Sequence, residues 1–136
     1  MVKIIMGLKG SGKTKQLIDL VHTAVKEEHG EVLCIENGQK LIYDIPHSVR
    51  LISASEYSFS GYDFLKGFLS GLHAGNYDIT HVFMDSLLKI INQPVDNKTE
   101  DFIDWCETFS ERNNIKFTIT LSADSALATE GIKKYF

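Results

Sequence analysis

The residues best suited to chemistry form one glycine-rich stretch near the start of the chain, with glycine at positions 7, 10 and 12. Glycine adopts backbone dihedrals that other residues avoid, so successive N–H groups can turn inward around an anion. A lysine and a threonine follow at once and supply a positive charge and an oxygen ligand for a hard cation. The stretch therefore predicts a site for a polyphosphate and magnesium, formed by Gly7, Leu8, Lys9, Gly10, Ser11, Gly12, Lys13 and Thr14.

The surroundings of this stretch match what such a loop requires. Val2 to Met6 is an apolar run typical of a buried strand, and Lys15 to Glu28 has helical periodicity. The spacing from Gly7 to Thr14 matches G-x-x-x-x-G-K-[ST] without a substitution. A helix N-terminus placed directly after the loop adds unpaired N–H groups and a partial positive charge.

On these residues the chain resembles the P-loop NTPase superfamily. The resemblance implies binding of a nucleoside triphosphate, which we take to be ATP, with Lys13 at the terminal phosphates and the Thr14 hydroxyl on Mg²⁺. Such a site also needs a carboxylate at the end of a downstream apolar strand, and Asp85 follows the apolar run Ile79 to Met84. Asp85 is therefore expected to share the magnesium ion with Thr14.

Hydrolysis needs a further group that orients or activates water, and Glu36 is the candidate. The residue after Asp85 is Ser86, so the glutamate that many ATPases carry there is absent. RecA-like and KaiC-like ATPases, which the chain resembles in the strands before Glu36 and Asp85, use a glutamate at the position of Glu36. The competing interpretation, which Asn37-Gly38 favours, is a tight hairpin with a second strand from Gln39 to Asp44 that leaves Glu36 on the surface.

Ser122 is the last candidate for the site, because it ends the strand-like run Lys116 to Leu121. In a parallel sheet that end faces the ligand. Ser122 then suits either a polar sensor of the γ-phosphate or a residue that leads into a helix, and the second role is slightly favoured.

Strand-like and helical stretches alternate along the chain, which predicts an α/β fold with three layers in a single domain, residues 1–136. The layers are a mainly parallel sheet of about five strands and helices on both of its faces. Right-handed crossovers bring the strand ends to one edge, so the loop, Glu36, Asp85 and Ser122 are expected to share that edge. Besides the runs already named, strands are expected at Glu31 to Glu36 and Val49 to Ile52, and helices at Phe64 to Leu72 and Phe102 to Phe109.

Some expectations concern single positions in these elements. Gly30 is expected in the left-handed position that ends the first helix, and Gly67 and Gly71 in close contact between their helix and the sheet. Further expectations are a buried cluster from Leu87 to Ile91, a capping-box start from Asn97 to Glu100, and a last helix that Ser125 caps and Gly131 interrupts. The conformation of residues 131–136 is left open.

Three functions stay open for a domain of this kind. The first is a weak or partner-activated ATPase that acts as a nucleotide-dependent switch, and the others are a small-molecule kinase of the nucleoside type and a sensor that does not hydrolyse its nucleotide. The early part of the chain, with the loop helix, the next strand and Asp85, is also compatible with thymidine-kinase-like proteins. The sequence shows neither a lid with zinc-binding cysteines nor an arginine-rich lid, which such a kinase usually needs. A GTPase is disfavoured because Asn97-Lys98-Thr99-Glu100 departs from N-K-x-D at its last position and no D-x-x-G follows Asp85.

Composition and charge restrict the partners. The net charge is −4, so broad attraction to nucleic acid is not indicated. Neither of the two arginines, Arg50 and Arg112, lies beside a motif, so a protein partner or a second copy is the expected source of a catalytic arginine. The two cysteines do not have the spacing of metal ligands and are expected as buried thiols. No leader and no apolar run of about 18 residues is seen, which predicts a cytoplasmic protein without a membrane partner.

Overall fold

A computed structural model describes all residues, 1–136. Its strands follow the apolar runs of the sequence, because short continuous apolar runs suit strands that are buried on both faces of a parallel sheet. The strands are β1 (Val2–Gly7), β2 (Glu31–Glu36), β3 (Arg50–Ser53), β4 (Ile79–Met84) and β5 (Lys116–Ser122). The helices are α1 (Lys13–Glu27), α2 (Gly61–Gly75), α3 (Leu87–Ile91), α4 (Asn97–Asn113) and α5 (Glu130–Lys133), with 3-10 turns at Ala54–Glu56 and Ser125–Leu127.

The five strands form one sheet in the order β1-β5-β4-β2-β3, and every neighbouring pair is parallel. The last strand in the chain thus lies between β1 and β4, where Gly7 pairs with Ser122 and Met84 pairs with Ile119. All carboxyl ends therefore meet at one edge, as expected for parallel strands. The predicted α/β fold, a parallel sheet flanked by helices, is confirmed.

Hydrophobic cores lie on both faces of the sheet. One face is covered by α1, whose Leu17 and Val21 pack with Cys34 and Phe83. The other face is covered by α2, α3 and α4, and its core includes Leu65, Phe102 and Ile103. The expected core cluster after Asp85 is confirmed, since Leu87, Ile90 and Ile91 are buried, and Cys34 and Cys106 are buried free thiols. None of the helices combines the length and apolar character that crossing a bilayer requires.

The predicted hairpin after β2 is wrong. Residues 39–44 form a series of turns, and β2 pairs in parallel with β3 instead. Leu41 and Ile45 are buried against α1, so the apolar residues of this segment anchor a loop to the core rather than alternate along a strand. The segment Asn37–Ile45 is called the β2 turn below.

The structural roles of three glycines differ from the roles that the sequence predicted. The left-handed position expected at Gly30 is absent: α1 ends at Glu27, and Gly30 is needed because a Cβ there would lie 2.1 Å from the Asp78 carbonyl oxygen. Gly67 and Gly71 are exposed, and a Cβ added at either would have no atom within 4 Å, so they make no close contact with the sheet. Helical glycine was therefore a poor guide to packing here.

The predicted starts of the last two helices are also corrected. The capping box of α4 begins one residue earlier than expected, with Asp96 and Thr99 in place of Asn97 and Glu100. Ser125 does not cap a helix: it begins a 3-10 turn capped by Asp124, while Thr129 caps the short α5, which contains Gly131. After α5 the Tyr135 carbonyl accepts a hydrogen bond from the Ile4 N–H, so the chain end lies along the open edge of β1.

His81 is a titratable side chain buried in the sheet, three residues before the carboxyl end of β4. Its ring stacks on Phe83, its Nε2 lies 2.9 Å from Thr118 Oγ1, and its Nδ1 has no hydrogen-bond partner. Burial lowers the pKa of His81 from 6.5 to about 4, against the opposing charge of Glu28. The neutral ring is therefore the form that the folded state favours.

We expect His81 to make the fold sensitive to acid. Because its folded-state pKa lies below the ordinary value, its contribution to stability is complete above about pH 6.5 and is lost as the pH falls towards 4. In the wild type, His81 should lower the unfolding free energy by roughly 3 kcal/mol between about pH 7 and pH 4. His81→Gln keeps a hydrogen-bond partner for Thr118 but takes up no proton, so this part of the decrease should be absent in the variant. Denaturant unfolding at both pH values measures this, with the exposed His47→Gln as control; equal pH slopes in all three proteins would contradict it.

Candidate functional site

A cavity of about 440 Å³ lies at the carboxyl edge of the sheet, where β1, β2, β4 and β5 end. It brings together the predicted loop, the two predicted carboxylates and Ser122. Leu41 is the one hydrophobic residue among the 15 that line it. The lining residues are Lys9, Gly10, Gly12, Lys13, Thr14, Lys15, Glu36, Asn37, Gly38, Lys40, Leu41, Asp85, Ser86, Lys89 and Ser122.

The loop between β1 and α1 depends on glycine for two different reasons. Gly10 and Gly12 both have φ of +85°, in the left-handed region that side chains disfavour. Gly7 has no positive φ; a Cβ there would instead lie 2.6 Å from Ser11 Oγ, so a larger residue would require the Ser11 side chain to move. Gly12 precedes α1 without a side-chain cap, which leaves the first N–H groups of the helix open to an anion.

Lys13 is the first residue of α1, and its side chain lies over the loop. Its Nζ donates to the Leu8 carbonyl at 2.9 Å and lies 3.5 Å from Ser11 Oγ, and the residue is buried although it lines the cavity. The ammonium group is thus held beside the glycine loop by loop atoms alone. A lysine in this position places its charge where an anion held by the loop amides would lie.

Thr14 and Asp85 lie side by side, although they are far apart in the sequence. Thr14 Oγ1 is 3.4 Å and 3.3 Å from the two carboxylate oxygens of Asp85. The backbone N–H of Asp85 donates to the Ile35 carbonyl, which ties the end of β4 to β2. A hydroxyl and a carboxylate at this separation are a donor set that suits Mg²⁺, which takes few protein oxygens and completes its shell with phosphate and water.

Thr120 belongs to the same network and was missed in the sequence. It is fully buried in β5, its Oγ1 donates to Asp85 Oδ1 at 2.8 Å, and it accepts from the Ser86 N–H at 2.7 Å. Thr118 and Thr120 alternate with apolar residues in the otherwise buried β5. The sequence signal that could have identified Thr120 is the pair of hydroxyls on one face of a buried strand, since buried polar groups need hydrogen-bond partners.

Glu36 ends β2 and is buried, so the interpretation as an exposed hairpin residue is wrong. Its two carboxylate oxygens accept the N–H groups of Lys40 at 3.0 Å and Leu41 at 3.1 Å, which holds the β2 turn against the strand. Burial raises the pKa of Glu36, an effect that these two amides oppose and the nearby charge of Asp85 reinforces. The structure therefore places Glu36 in the cavity wall but gives its carboxylate a structural partner, and its role as a base stays a prediction.

Ser122 lines the cavity at the end of β5. The helix-entry interpretation is not supported, because Asp124 caps the turn that follows. Ser86, directly after Asp85, has a left-handed backbone with φ of 58° and ψ of 63° and precedes α3. A sensor role for Ser122 remains a prediction.

Lysines that the sequence analysis did not select give the cavity a positive charge. Lys15, Lys40 and Lys89 join Lys9 and Lys13 in the lining, against the two carboxylates already described. Neither arginine of the chain is among the lining residues. The protein is acidic as a whole, so this cavity is a local basic region suited to a small anion of high charge.

Comparison with known proteins supports the fold. The sequence matches no protein-family model and no curated protein at a significant level. Among solved structures, the flagellar accessory protein FlaH from Methanocaldococcus jannaschii is similar, with a TM-score of 0.59 over 98% of this chain at 12% sequence identity. The chain spans 65% of the length of that structure. At this identity the likeness concerns the fold alone, a parallel α/β sheet flanked by helices.

We expect Gly12→Ala to strain the loop. The site offers space for a methyl group, but alanine at φ of +85° costs about 1–2 kcal/mol, so the unfolding free energy should fall by that amount. Affinity for inorganic triphosphate, measured by calorimetry, should fall with it because the amides no longer keep their inward orientation. Gly38→Ala is the matched control, since Gly38 also lines the cavity, has no positive φ and has free space at its Cβ position. Equal behaviour of the two variants would show that backbone conformation at Gly12 is unimportant.

Proposed function

We propose that this protein binds ATP with Mg²⁺ in the cavity at the carboxyl edge of its sheet and acts as a weak or partner-activated ATPase, a nucleotide-dependent switch. The observation that carries the proposal is the contact of 3.3 Å between the Thr14 hydroxyl and the Asp85 carboxylate at the mouth of the glycine loop. A motif match alone predicts a loop, whereas this contact adds the second half of a magnesium site. The basic lining of the cavity supports a phosphate chain as the ligand.

Each residue has a defined part in this function. The loop amides and Lys13 bind the phosphates, and Thr14 and Asp85 are the residues that would hold Mg²⁺. When bound, Mg²⁺ neutralises charge on the phosphates and orients them. Ser122, beside the loop at the end of β5, is in a position suited to contact with the terminal phosphate.

Glu36 is the proposed base, and its hydrogen bonds explain why turnover should be slow. A general base must lie within hydrogen-bond reach of the proton that it removes. In this structure both oxygens of Glu36 already accept backbone N–H groups of the β2 turn. These amides lower the basicity of the carboxylate, because they stabilise its ionised form. Release or rearrangement of that turn, brought about by a partner or a second copy, would raise the basicity of Glu36 towards water.

ATP is proposed in preference to GTP because the segment that resembles N-K-x-D lies elsewhere. Asn97 and Lys98 begin α4 and are not among the residues that line the cavity. Thr99, the next residue, is buried and contacts Tyr62 Oη at 2.8 Å, so the segment serves the helix start.

The two free thiols suit a reducing compartment, which supports the cytoplasm as the location.

A sensor that binds nucleotide without hydrolysis is the second candidate, and the same Glu36 contacts favour it. A carboxylate that permanently closes the β2 turn would act as a structural group only. The cavity would then report the nucleotide through the loop and the turn. The two functions differ in one measurable property, the release of phosphate by the wild-type protein.

Lys13→Ala tests the site itself. Loss of the ammonium group beside the loop should weaken ATP binding at least about tenfold, because a charge-assisted contact to phosphate contributes roughly 1.5–3 kcal/mol. Calorimetric titration with ATP and with GTP measures the affinity and the base preference. Lys98→Ala, an exposed lysine outside the cavity, is the control for charge alone. Unchanged ATP affinity in Lys13→Ala would refute the site.

Glu36→Gln tests the reaction. The variant should bind ATP nearly as well as the wild type but release phosphate about 10²–10⁴-fold more slowly, the range that a general base contributes. Glutamine keeps one acceptor oxygen, so one of the two hydrogen bonds to the β2 turn is lost; a thermal unfolding curve shows whether the fold is kept. Glu56→Gln, an exposed carboxylate, is the matched control.

The outcomes of that assay separate the alternatives. Hydrolysis retained in Glu36→Gln would eliminate the role of Glu36 as a base. A wild-type protein that binds ATP but releases no phosphate would favour the sensor. Transfer of phosphate to members of a nucleoside panel, detected by product analysis, would instead identify a kinase.

A further inference from the structure

The Thr120 hydroxyl connects the Asp85 carboxylate with the backbone N–H of Ser86. Its Oγ1 donates to Asp85 Oδ1 at 2.8 Å and accepts from the Ser86 N–H at 2.7 Å, and the residue is fully buried. These are the shortest contacts of the Asp85 carboxylate and of the Ser86 amide in the structure. Both are shorter than the contacts between Asp85 and Thr14 at 3.3 and 3.4 Å.

The hydrogen-bonding capacity of a hydroxyl makes this arrangement directional. A threonine hydroxyl has one proton to donate and two lone pairs to accept. The Ser86 N–H can only donate, so it occupies a lone pair of Thr120 and directs the one hydroxyl proton towards Asp85. One carboxylate oxygen of Asp85 is therefore held by Thr120, which restricts the orientation of the carboxylate beside Thr14.

Thr120 also supports an unfavourable stretch of backbone. Ser86 has a left-handed conformation, which a residue with a side chain adopts only when its surroundings hold it there. Ser86 precedes α3, and Lys89 of α3 lines the cavity. The hydrogen bond from Ser86 to Thr120 thus fixes the junction between the magnesium carboxylate and a cationic part of the cavity wall.

The position of β5 is what makes these contacts possible. β5 lies between β1, which leads into the loop, and β4, which leads into Asp85. A side chain near the carboxyl end of β5 can therefore reach the end of β4 from inside the sheet. Thr120 is such a residue, two positions before Ser122.

We propose that Thr120 is a positioning residue for Asp85, which couples magnesium binding to nucleotide binding in this site. The inference rests on the proposed ATP and Mg²⁺ site. Thr120 acts through Asp85 and Ser86 and does not itself line the cavity. Partners of this kind, which orient a metal ligand, typically change metal affinity 10- to 100-fold when they are removed.

The chain provides a matched control in Thr118. It lies two residues earlier on the same face of β5, is equally buried, and its hydroxyl contacts His81 Nε2 at 2.9 Å, away from the site. Thr118→Val and Thr120→Val make the same chemical change in the same strand. A general effect of losing a buried hydroxyl would therefore affect both variants.

The experiment measures ATP affinity by calorimetry in excess Mg²⁺ and in EDTA, for the wild type and each variant. The ratio of the two affinities is the magnesium coupling. We expect Thr120→Val to lower this ratio 10- to 100-fold while ATP affinity in EDTA stays near the wild-type value. Thr120→Ser, which keeps the hydroxyl, and Thr118→Val should both keep the wild-type ratio. If the valine variant does not fold, Thr120→Ala takes its place against Thr120→Ser.

Amide hydrogen exchange of the nucleotide-free protein gives a second readout. The Ser86 amide should exchange faster in Thr120→Val than in the wild type and Thr118→Val, because it has lost its acceptor. A wild-type magnesium coupling in Thr120→Val would overturn the inference about Thr120 and leave the proposed site intact. A wild-type protein that binds no ATP under either condition would overturn both.

Discussion

The Asp85 carboxylate accepts hydrogen bonds from threonines of two different elements, Thr14 at the start of α1 and Thr120 in β5. These contacts require the end of β4 to lie close to the loop that follows β1, although the two strands are not neighbours. β5 fills the space between them and provides the hydroxyl that orients the carboxylate. The order of the strands is thus a condition of the Thr120 contact, because Thr120 reaches Asp85 from a strand that lies directly beside β4.

A second constraint comes from the buried glutamate at the end of β2. Its carboxylate satisfies two backbone N–H groups of the β2 turn, and those groups would otherwise lose hydrogen bonds in a partly buried place. Leu41 anchors the same turn in the core beside α1. The two N–H groups also lower the basicity of the carboxylate, so the conformation of the β2 turn affects the basicity of Glu36.

Charge explains how an acidic protein can offer a site for an anion. The excess negative charge acts over the whole surface, and salt screens its electrostatic effect at distances beyond about 10 Å. Within the cavity, five lysines face two carboxylates, and the N-terminus of α1 adds its partial positive charge. The charge in the cavity therefore differs in sign from the net charge of the protein, which describes only the long-range attraction.

The sequence by itself determined the glycine loop, the apolar strands, the parallel α/β fold and the placement of Asp85 after β4, because these follow from glycine sterics and from short-range periodicity. Only the tertiary structure decided the β2 turn and the contacts of Glu36 and Thr120. Asn37-Gly38 predicts a hairpin locally, but Leu41 is buried in the core beside α1, and no local rule contains that contact. Thr120 meets Asp85 across 35 residues of chain, so this contact exists only once β5 lies in the sheet between β1 and β4.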